Sequence, residues 1–309
     1  MGEIEVRGVT KKFGNKLVLD NIYLKIPEEK IVGVIGVSGC GKSTLLKILI
    51  GFYKPSDGEI LYNDKNIEKN MKQVKKDFGF ASQDKCFYGK LTVEENLDYF
   101  GTMYGLSDKE IKRNSDEILA FLKLEDARKV LAENLSGGMQ KRLDLGCALI
   151  HFPKVLILDE PIEDLDPSLR KDMIKSIKEI KNRFKTTILI SSHLLWELEQ
   201  LCDTYIVIHD KKVLGVGSLN DLRKRYGKQT EIFVEFKEPN YNELLAYLGS
   251  AMPKEYSIES NKLSLYSDNE ALMGHIMNFA KRNSKEIVKL GIKKPDLNEI
   301  FEKLTGERS

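Results

Sequence analysis

The spacing of apolar residues changes several times along this chain, and each change marks an element. Leu17 to Ile26 alternates apolar and polar, the period of a half-buried strand. Ile31-Val32-Gly33-Val34-Ile35 is unbroken and short, which predicts a buried strand running into the glycine-rich loop that follows. Leu45, Leu46 and Leu49 then fall at helical spacing, so a helix begins near Lys42. Lys54-Pro55-Ser56-Asp57-Gly58 reads as a turn before a short strand, Glu59 to Tyr62. Residues 92–123 read as two helices broken around Gly105-Leu106-Ser107, and Ser136 opens another. Val155 to Leu158, Thr187 to Ile190 and Tyr205 to Ile208 are further strands. Between the first two, Met173, Ile174, Ile177 and Ile180 mark one face of a helix. Strands alternating with helices imply an α/β domain built on a largely parallel sheet. The mostly helical run 92–150 is expected to form a subdomain beside that sheet.

The pattern shifts around Arg225-Tyr226-Gly227-Lys228, where a domain boundary is expected. The assignment is therefore 1–225 for the first domain and 228–309 for the second. The second reads as strand (Glu231 to Phe236), helix (Asn242 to Tyr247), two strands (Tyr256 to Ile258, Lys262 to Tyr266), helix (Asn269 to Arg282) and strand (Glu286 to Gly291). That β-α-β-β-α-β succession is a ferredoxin-like order, so a small α+β domain is expected. A last helix follows Pro295. Asp296 can cap it with Glu299 three residues on, the spacing of a capping box. Leu297, Ile300, Phe301 and Leu304 form its stripe, and Gly306 is its expected stop.

Composition narrows the function classes. Among 309 residues, 49 Lys and Arg against 47 Asp and Glu leave a formal charge of +2, which gives no electrostatic case for a nucleic-acid partner. Cys40, Cys86, Cys147 and Cys202 are widely separated, without zinc-ligand spacing, so a reducing compartment is the natural setting. The residues from Met1 to Val6 lack the features of a signal peptide or a myristoylation site. The longest apolar runs are strand-length, well short of the roughly 20 residues that span a bilayer. Any membrane role is expected to come through a partner.

The chemistry sits in three motifs. Gly36-Val37-Ser38-Gly39-Cys40-Gly41-Lys42-Ser43, followed by Thr44, fits G-x-x-x-x-G-K-S between a strand and a helix. Its glycines let backbone N–H groups turn inward around phosphate oxygens at a helix N-terminus. Lys42 then supplies charge to the β- and γ-phosphates, and Ser43 can ligate Mg2+. Cys40 reads as a small loop-filling residue or as an oxidation-sensitive point. Val155 to Leu158 delivers two carboxylates, Asp159 and Glu160, to a strand end. Asp159 there can hold Mg2+ through water and Glu160 can orient or deprotonate an attacking water, or the pair can be plain surface acids. In Leu135-Ser136-Gly137-Gly138-Met139-Gln140-Lys141-Arg142, Ser136 can cap a helix and two glycines allow close backbone approach. This is either a second anion-binding helix end or an ordinary capped start.

In this order the three motifs resemble the ABC ATPase family, with Leu135 to Arg142 as its LSGGQ-type signature. The resemblance implies a P-loop NTPase fold: a RecA-like core, an antiparallel β subdomain and a helical subdomain at about 90–150. It implies ATP and Mg2+ as ligands. It also implies a dimer in which Ser136, Gly137 and Gly138 close on the ATP of the opposite subunit. Gln83 falls at the Q-loop, with a reach to Mg2+ and water. Asp166 falls at the D-loop, where it can equally cap the helix begun by Pro167. His193 falls at the switch histidine that touches the γ-phosphate, and Phe13 at the aromatic ring stacked on adenine. One stretch departs from the family's usual E-P-T-S-G-L-D-P. Here it is Glu160-Pro161-Ile162-Glu163-Asp164-Leu165-Asp166-Pro167, so two acids replace small residues and add negative charge unless they point away.

Ser136 lies only 94 positions after Lys42, which leaves no room for a long coiled-coil insertion. There is a single phosphate loop. The tail Pro295 to Gly306 and the text Arg142-Leu143-Asp144-Leu145 resemble ATPases of ABC-2-type exporters, including the daunorubicin-resistance type. The resemblance thus implies an ATP-hydrolysing subunit on the inner face of the cell membrane, working as a homodimer or pseudo-dimer. Its separate membrane permease is expected to touch the stretch from Gln83 to Tyr104. The alternatives are a soluble ABC ATPase acting as a mechanical or assembly factor, and a nucleotide sensor.

Overall fold

A computed structural model describes residues 3–227 and 230–306. The chain divides into two compact units, Met1–Leu219 and Asn220–Ser309. In chain order the first holds β1 (Ile4–Phe13), β2 (Lys16–Ile26), β3 (Ile31–Ile35), α1 (Lys42–Leu49), β4 (Asp57–Tyr62), β5 (Lys65–Asn66), α2 (Met71–Asp77) and β6 (Phe78–Ala81). It continues through α3 (Val93–Met103), α4 (Asp108–Leu122), α5 (Gly137–Leu149), β7 (Val155–Asp159), α6 (Pro167–Phe184), β8 (Thr187–Ser191), α7 (Leu195–Leu201), β9 (Thr204–His209) and β10 (Lys212–Gly217).

The central sheet has the order β10-β9-β3-β8-β7-β6, parallel except for the edge pair β9–β10. Every residue of β3, β7 and β8 is buried, as expected of parallel strands covered on both faces. An antiparallel sheet, β2-β1-β4-β5, shares a continuous apolar core with it, in which Ile4, Leu19 and Ile60 join Val34, Leu45 and Ile157. The helices α3, α4 and α5 form the third layer. Two capping boxes start α3 and α4, Thr92 with Glu95 and Ser107 with Glu110, so four otherwise unpaired N–H groups find partners. Gly101 lets α3 approach α4: a Cβ there would lie 2.7 Å from Ile111.

The second unit opens with α8 (Leu219–Tyr226), so this helix groups with the later residues and not with the first unit. The expected boundary text Arg225 to Lys228 begins inside α8, and Lys228 lies outside the described residues. Then follow β11 (Glu231–Phe236), α9 (Tyr241–Leu248), β12 (Glu255–Glu259), β13 (Lys262–Tyr266), α10 (Ala271–Arg282), β14 (Ile287–Lys293) and α11 (Leu297–Thr305). The antiparallel sheet order β12-β13-β11-β14 is the ferredoxin-like arrangement. Ile232, Val234, Phe236, Leu263 and Leu265 bury one face under Leu244, Leu248, Leu272, Ile276 and Phe279 of α9 and α10. Asp296 caps α11 by accepting the Glu299 N–H at 2.9 Å. The box does not close as expected: the Glu299 carboxylate accepts from Lys293 at 2.6 Å instead. A nearby ammonium outcompetes a backbone N–H for that carboxylate.

Candidate nucleotide site

The site begins where β3 meets α1. Gly41 has φ 111°, a conformation costly for any side chain, and it aims the first amides of α1 into the loop. Gly36 is required for space, since a Cβ there would lie 2.3 Å from the carbonyl oxygen of Ile208. Lys42 is buried, and its Nζ donates to the carbonyls of Gly36 at 2.8 Å and Val37 at 3.2 Å. The Cys40 N–H donates to Val37 O at 3.3 Å, and its thiol is buried, which pushes its pKa up. Burial disfavours the thiolate, so the loop-filling reading suits Cys40 better than the oxidation-sensitive one.

A chain of hydrogen bonds then links three elements. Ser43 Oγ donates to Asp159 Oδ1 at 3.0 Å, and Ser191 Oγ donates to the same oxygen at 2.5 Å. The Glu160 N–H donates to Ser191 O and Oγ, both at 3.1 Å. The phosphate loop, the end of β7 and the end of β8 are therefore held in one register. Glu160 has φ 53°, which turns the chain sharply after Asp159 and separates the two carboxylates. Glu160 is 7% exposed, and its Oε2 has no aligned hydrogen-bond donor, although His193 Nδ1 lies 3.3 Å away. A buried, unpaired carboxylate oxygen costs stability unless a ligand or water meets it.

These groups open onto a cavity of about 580 Å³ lined by Phe13, Ser38, Gly39, Gly41, Lys42, Ser43, Thr44, Gln83, Glu160 and His193. Ten of the residues singled out in the sequence thus meet around one space. Phe13 stands at its mouth, edge-on to Tyr53 at 5.1 Å, with the Lys11 ammonium 4.8 Å from its ring. Lys16, Leu17, Val18 and Lys211 also line it, and the motifs gave no sign of them. They come from β2 and from the turn between β9 and β10, which only the fold brings to the phosphate loop. Glu163 lines it as well. The extra acid therefore does not point away, whereas Asp164 is solvent-exposed, with φ 58°.

Ser136, Gly137, Gly138 and Asp166 are not in this cavity. Ser136 and Gly137 are exposed at the start of α5, where Ser136 Oγ accepts from the Met139 N–H at 3.4 Å. Gly138 is buried against α6: a Cβ there would lie 2.6 Å from Leu169. Asp166 caps α6 by accepting from Ser168 at 3.0 Å and Leu169 at 3.1 Å.

Known proteins resemble this chain over nearly its whole length. The ABC transporter family model matches residues 19–163, and the model of the DrrA1-3-like C-terminal domain matches residues 217–305. The bacitracin transport ATP-binding protein BcrA of Bacillus licheniformis is 30% identical over 305 residues, covering 98% of this chain and 97% of BcrA. The chain belongs to the ABC transporter ATP-binding proteins. The linearmycin resistance ATP-binding protein LnrL of Bacillus subtilis is 28% identical over 306 residues and covers 98% of both chains. The Fe(3+) ions import protein FbpC of Escherichia coli O157:H7 is 36% identical, but over 222 residues and 72% of this chain. Among solved structures, an ATP-binding subunit of an ABC transporter has a TM-score of 0.66 at 29% identity, covering 72% of this chain and 93% of its own. The chain is thus an ABC transporter ATPase.

In this ABC ATPase the segment after Gln83 is tied to α5 through contacts that the motifs do not reveal. Asp144 of α5 accepts the Cys86 N–H at 2.8 Å, and Lys85 Nζ donates to Gln140 Oε1 at 2.6 Å. Burial raises the Asp144 pKa to about 6. Where the helical layer meets the sheet, His151 stacks on Tyr104 with ring centroids 3.6 Å apart, and His151 Nε2 lies 3.1 Å from Phe78 O. Burial lowers the His151 pKa to about 4.

That depression has a sign. The neutral ring is the folded form, so the stability it supports is complete above about pH 6.5 and is lost as pH falls toward 4. Asp144 acts oppositely, gaining stability from its proton below about pH 6. The informative quantity is therefore the difference between wild type and His151→Phe. By urea unfolding, the wild-type advantage is expected to shrink by about 3 kcal/mol between pH 7 and pH 4. A constant difference contradicts a buried neutral His151.

Proposed function

We propose that this ATPase is the motor subunit of an ABC-2-type exporter, closing as a dimer around two ATP molecules to drive a separate membrane permease. The observation that carries the exporter reading is the C-terminal unit. FbpC, an importer's subunit, covers only 72% of this chain, whereas BcrA and LnrL cover 98%, through that unit as well. No helix among the described residues is long and apolar enough to cross a membrane, which suits a peripheral place on the inner face, held by the permease.

The residues fit a magnesium nucleotide. Ser43 and Asp159 already face one another at 3.0 Å, an arrangement suited to a hard cation that takes oxygen ligands, with Gln83 on the same cavity. Bound there, Mg2+ would neutralise charge on the β- and γ-phosphates. Lys42 and the amides of the loop hold the phosphates. Glu160 orients a water for in-line attack on the γ-phosphorus and takes its proton as the bond to ADP breaks. His193, beside Glu160, contacts the γ-phosphate. The exposed start of α5 at Ser136 leaves an anion-binding helix end that its own cavity does not use. A second subunit's ATP satisfies it.

The permease contact is assigned to the surface after the Q-loop. Tyr88, Tyr99 and Met103 are 48%, 40% and 66% exposed, and the two tyrosine rings pack edge-to-face at 4.8 Å. Exposed aromatics grouped in this way are typical interface anchors. The Lys85–Gln140 and Asp144–Cys86 contacts would pass motion at this surface to the signature helix. Phe87, half-buried, precedes Tyr88 in the chain, and the Phe87→Ala/Tyr88→Ala variant is expected to lose at least tenfold in transport while the purified subunit keeps its ATPase rate. The test is purification from detergent with the permease, followed by transport in vesicles. A subunit that copurifies with no multi-span membrane protein, or a variant with unchanged transport, contradicts the assignment.

A further inference from the structure

The motif comparison leaves Glu163 unexplained, since it replaces a small residue and still faces the cavity. The turn that carries it is fixed by the backbone. Glu160 turns the chain with φ 53°, the Glu163 N–H donates to Glu160 O at 3.3 Å, and the fully buried Ile162 anchors the turn between them. From there Glu163 Oε2 accepts from Gln83 Nε2 at 2.9 Å, and Oε1 lies 3.9 Å from His193 Nδ1. His193 is thereby flanked by two carboxylates, Glu160 and Glu163. Both partners of Glu163 are side chains assigned to the γ-phosphate and the attacking water.

We propose that Glu163 sets the preference between di- and triphosphate, holding Gln83 and placing a negative charge where the γ-phosphate must enter. This inference rests on the nucleotide-site reading above. ADP fills the loop around Lys42 and leaves the Glu163–Gln83 bond in place. ATP carries an additional phosphate charge to the side of the cavity where Gln83, His193 and Glu163 meet. It must break that bond and approach a carboxylate. Like charges a few ångströms apart in a partly buried site repel strongly enough to change affinity by about tenfold. The carboxylate therefore weakens ATP binding selectively. It keeps the Q-loop glutamine in its nucleotide-free position until a triphosphate displaces it.

The test is calorimetric binding of ADP and of a non-hydrolysable ATP analogue, each with Mg2+, to the full chain. Glu163→Gln keeps the side-chain length and an oxygen for Gln83 but removes the charge. Glu163→Ser removes the reach as well and guards against a special effect of the amide. In both variants the analogue is expected to bind about tenfold tighter while ADP affinity changes less than threefold. An analogue affinity that is unchanged or weaker, or an equal gain for both nucleotides, overturns the role of Glu163 alone. A wild type that binds neither nucleotide overturns the site reading, and this inference with it.

Discussion

Glu160→Gln is expected to lower the ATPase rate by about 10²- to 10³-fold without loss of ATP affinity. Glu160 lines the cavity, its N–H is fixed by two bonds to Ser191, and its buried Oε2 lacks an aligned donor. An amide of the same shape keeps the packing and removes the proton acceptor. Because Asp159 is bonded separately by Ser43 and Ser191, those hydrogen bonds stay intact. Phosphate release at saturating ATP and binding of ATP in the same variant check both halves. A full rate removes Glu160 from its role, and lost binding shows that it holds nucleotide instead.

Lys42→Ala is expected to weaken nucleotide binding by at least about 100-fold, for ADP and ATP alike. The ammonium is buried and held by the carbonyls of Gly36 and Val37 at the start of α1. A charge-assisted bond from such a group to phosphate is worth about 1.5–3 kcal/mol, and Lys42 can make more than one. Thermal melting of the unliganded variant checks that it still folds. Fluorescent nucleotide titration checks the loss. Retained micromolar binding by a folded variant would contradict the placement of the phosphates.

The two variants also separate what the sequence made legible from what it hid. The phosphate loop was legible because its chemistry is local: a strand, glycines, a lysine and a helix start lie within thirteen consecutive residues, Ile31 to Ser43. The helical layer was legible because Thr92 and Ser107 carry their capping partners three residues on. The ferredoxin-like order was legible because its strands carry apolar residues at alternating or adjacent positions, as in Leu263 and Leu265 of β13. Other elements escaped. The long strand β1 is broken by register shifts and by Gly8 at φ 61°, which spoils the alternation. The helix α2 buries little of its apolar surface beyond Val74, and β6 has four residues. Ser191 was visible only as a neighbour of His193, yet it joins Asp159 to Glu160. That role depends on β7 and β8 lying side by side, a fact of tertiary pairing and not of spacing. Glu163 was visible as an anomaly, but its direction needed the left-handed turn at Glu160.

The arrangement also explains how a change at the nucleotide can reach a distant surface. Gln83 stands on the cavity, and two residues later Lys85 is bonded to the signature helix at Gln140. Cys86 is bonded to the same helix at Asp144, and Tyr88 begins the exposed aromatic surface. Displacing Gln83 from Glu163 therefore pulls on a short segment whose other contacts are with α5. In the proposed reading, these hydrogen bonds would carry motion from the γ-phosphate position to the permease contact.

The central claim is that this site is half of a shared one, completed by the exposed helix end at Ser136 of a second subunit. The most direct measurement is the light-scattering mass of Glu160→Gln with and without ATP and Mg2+. The account predicts about twice the 35.3 kDa chain mass in ATP and a return to one chain mass when the added Ser136→Glu change places a charge at the signature. A variant that binds ATP yet keeps the single-chain mass, or a dimer indifferent to Ser136→Glu, would contradict it.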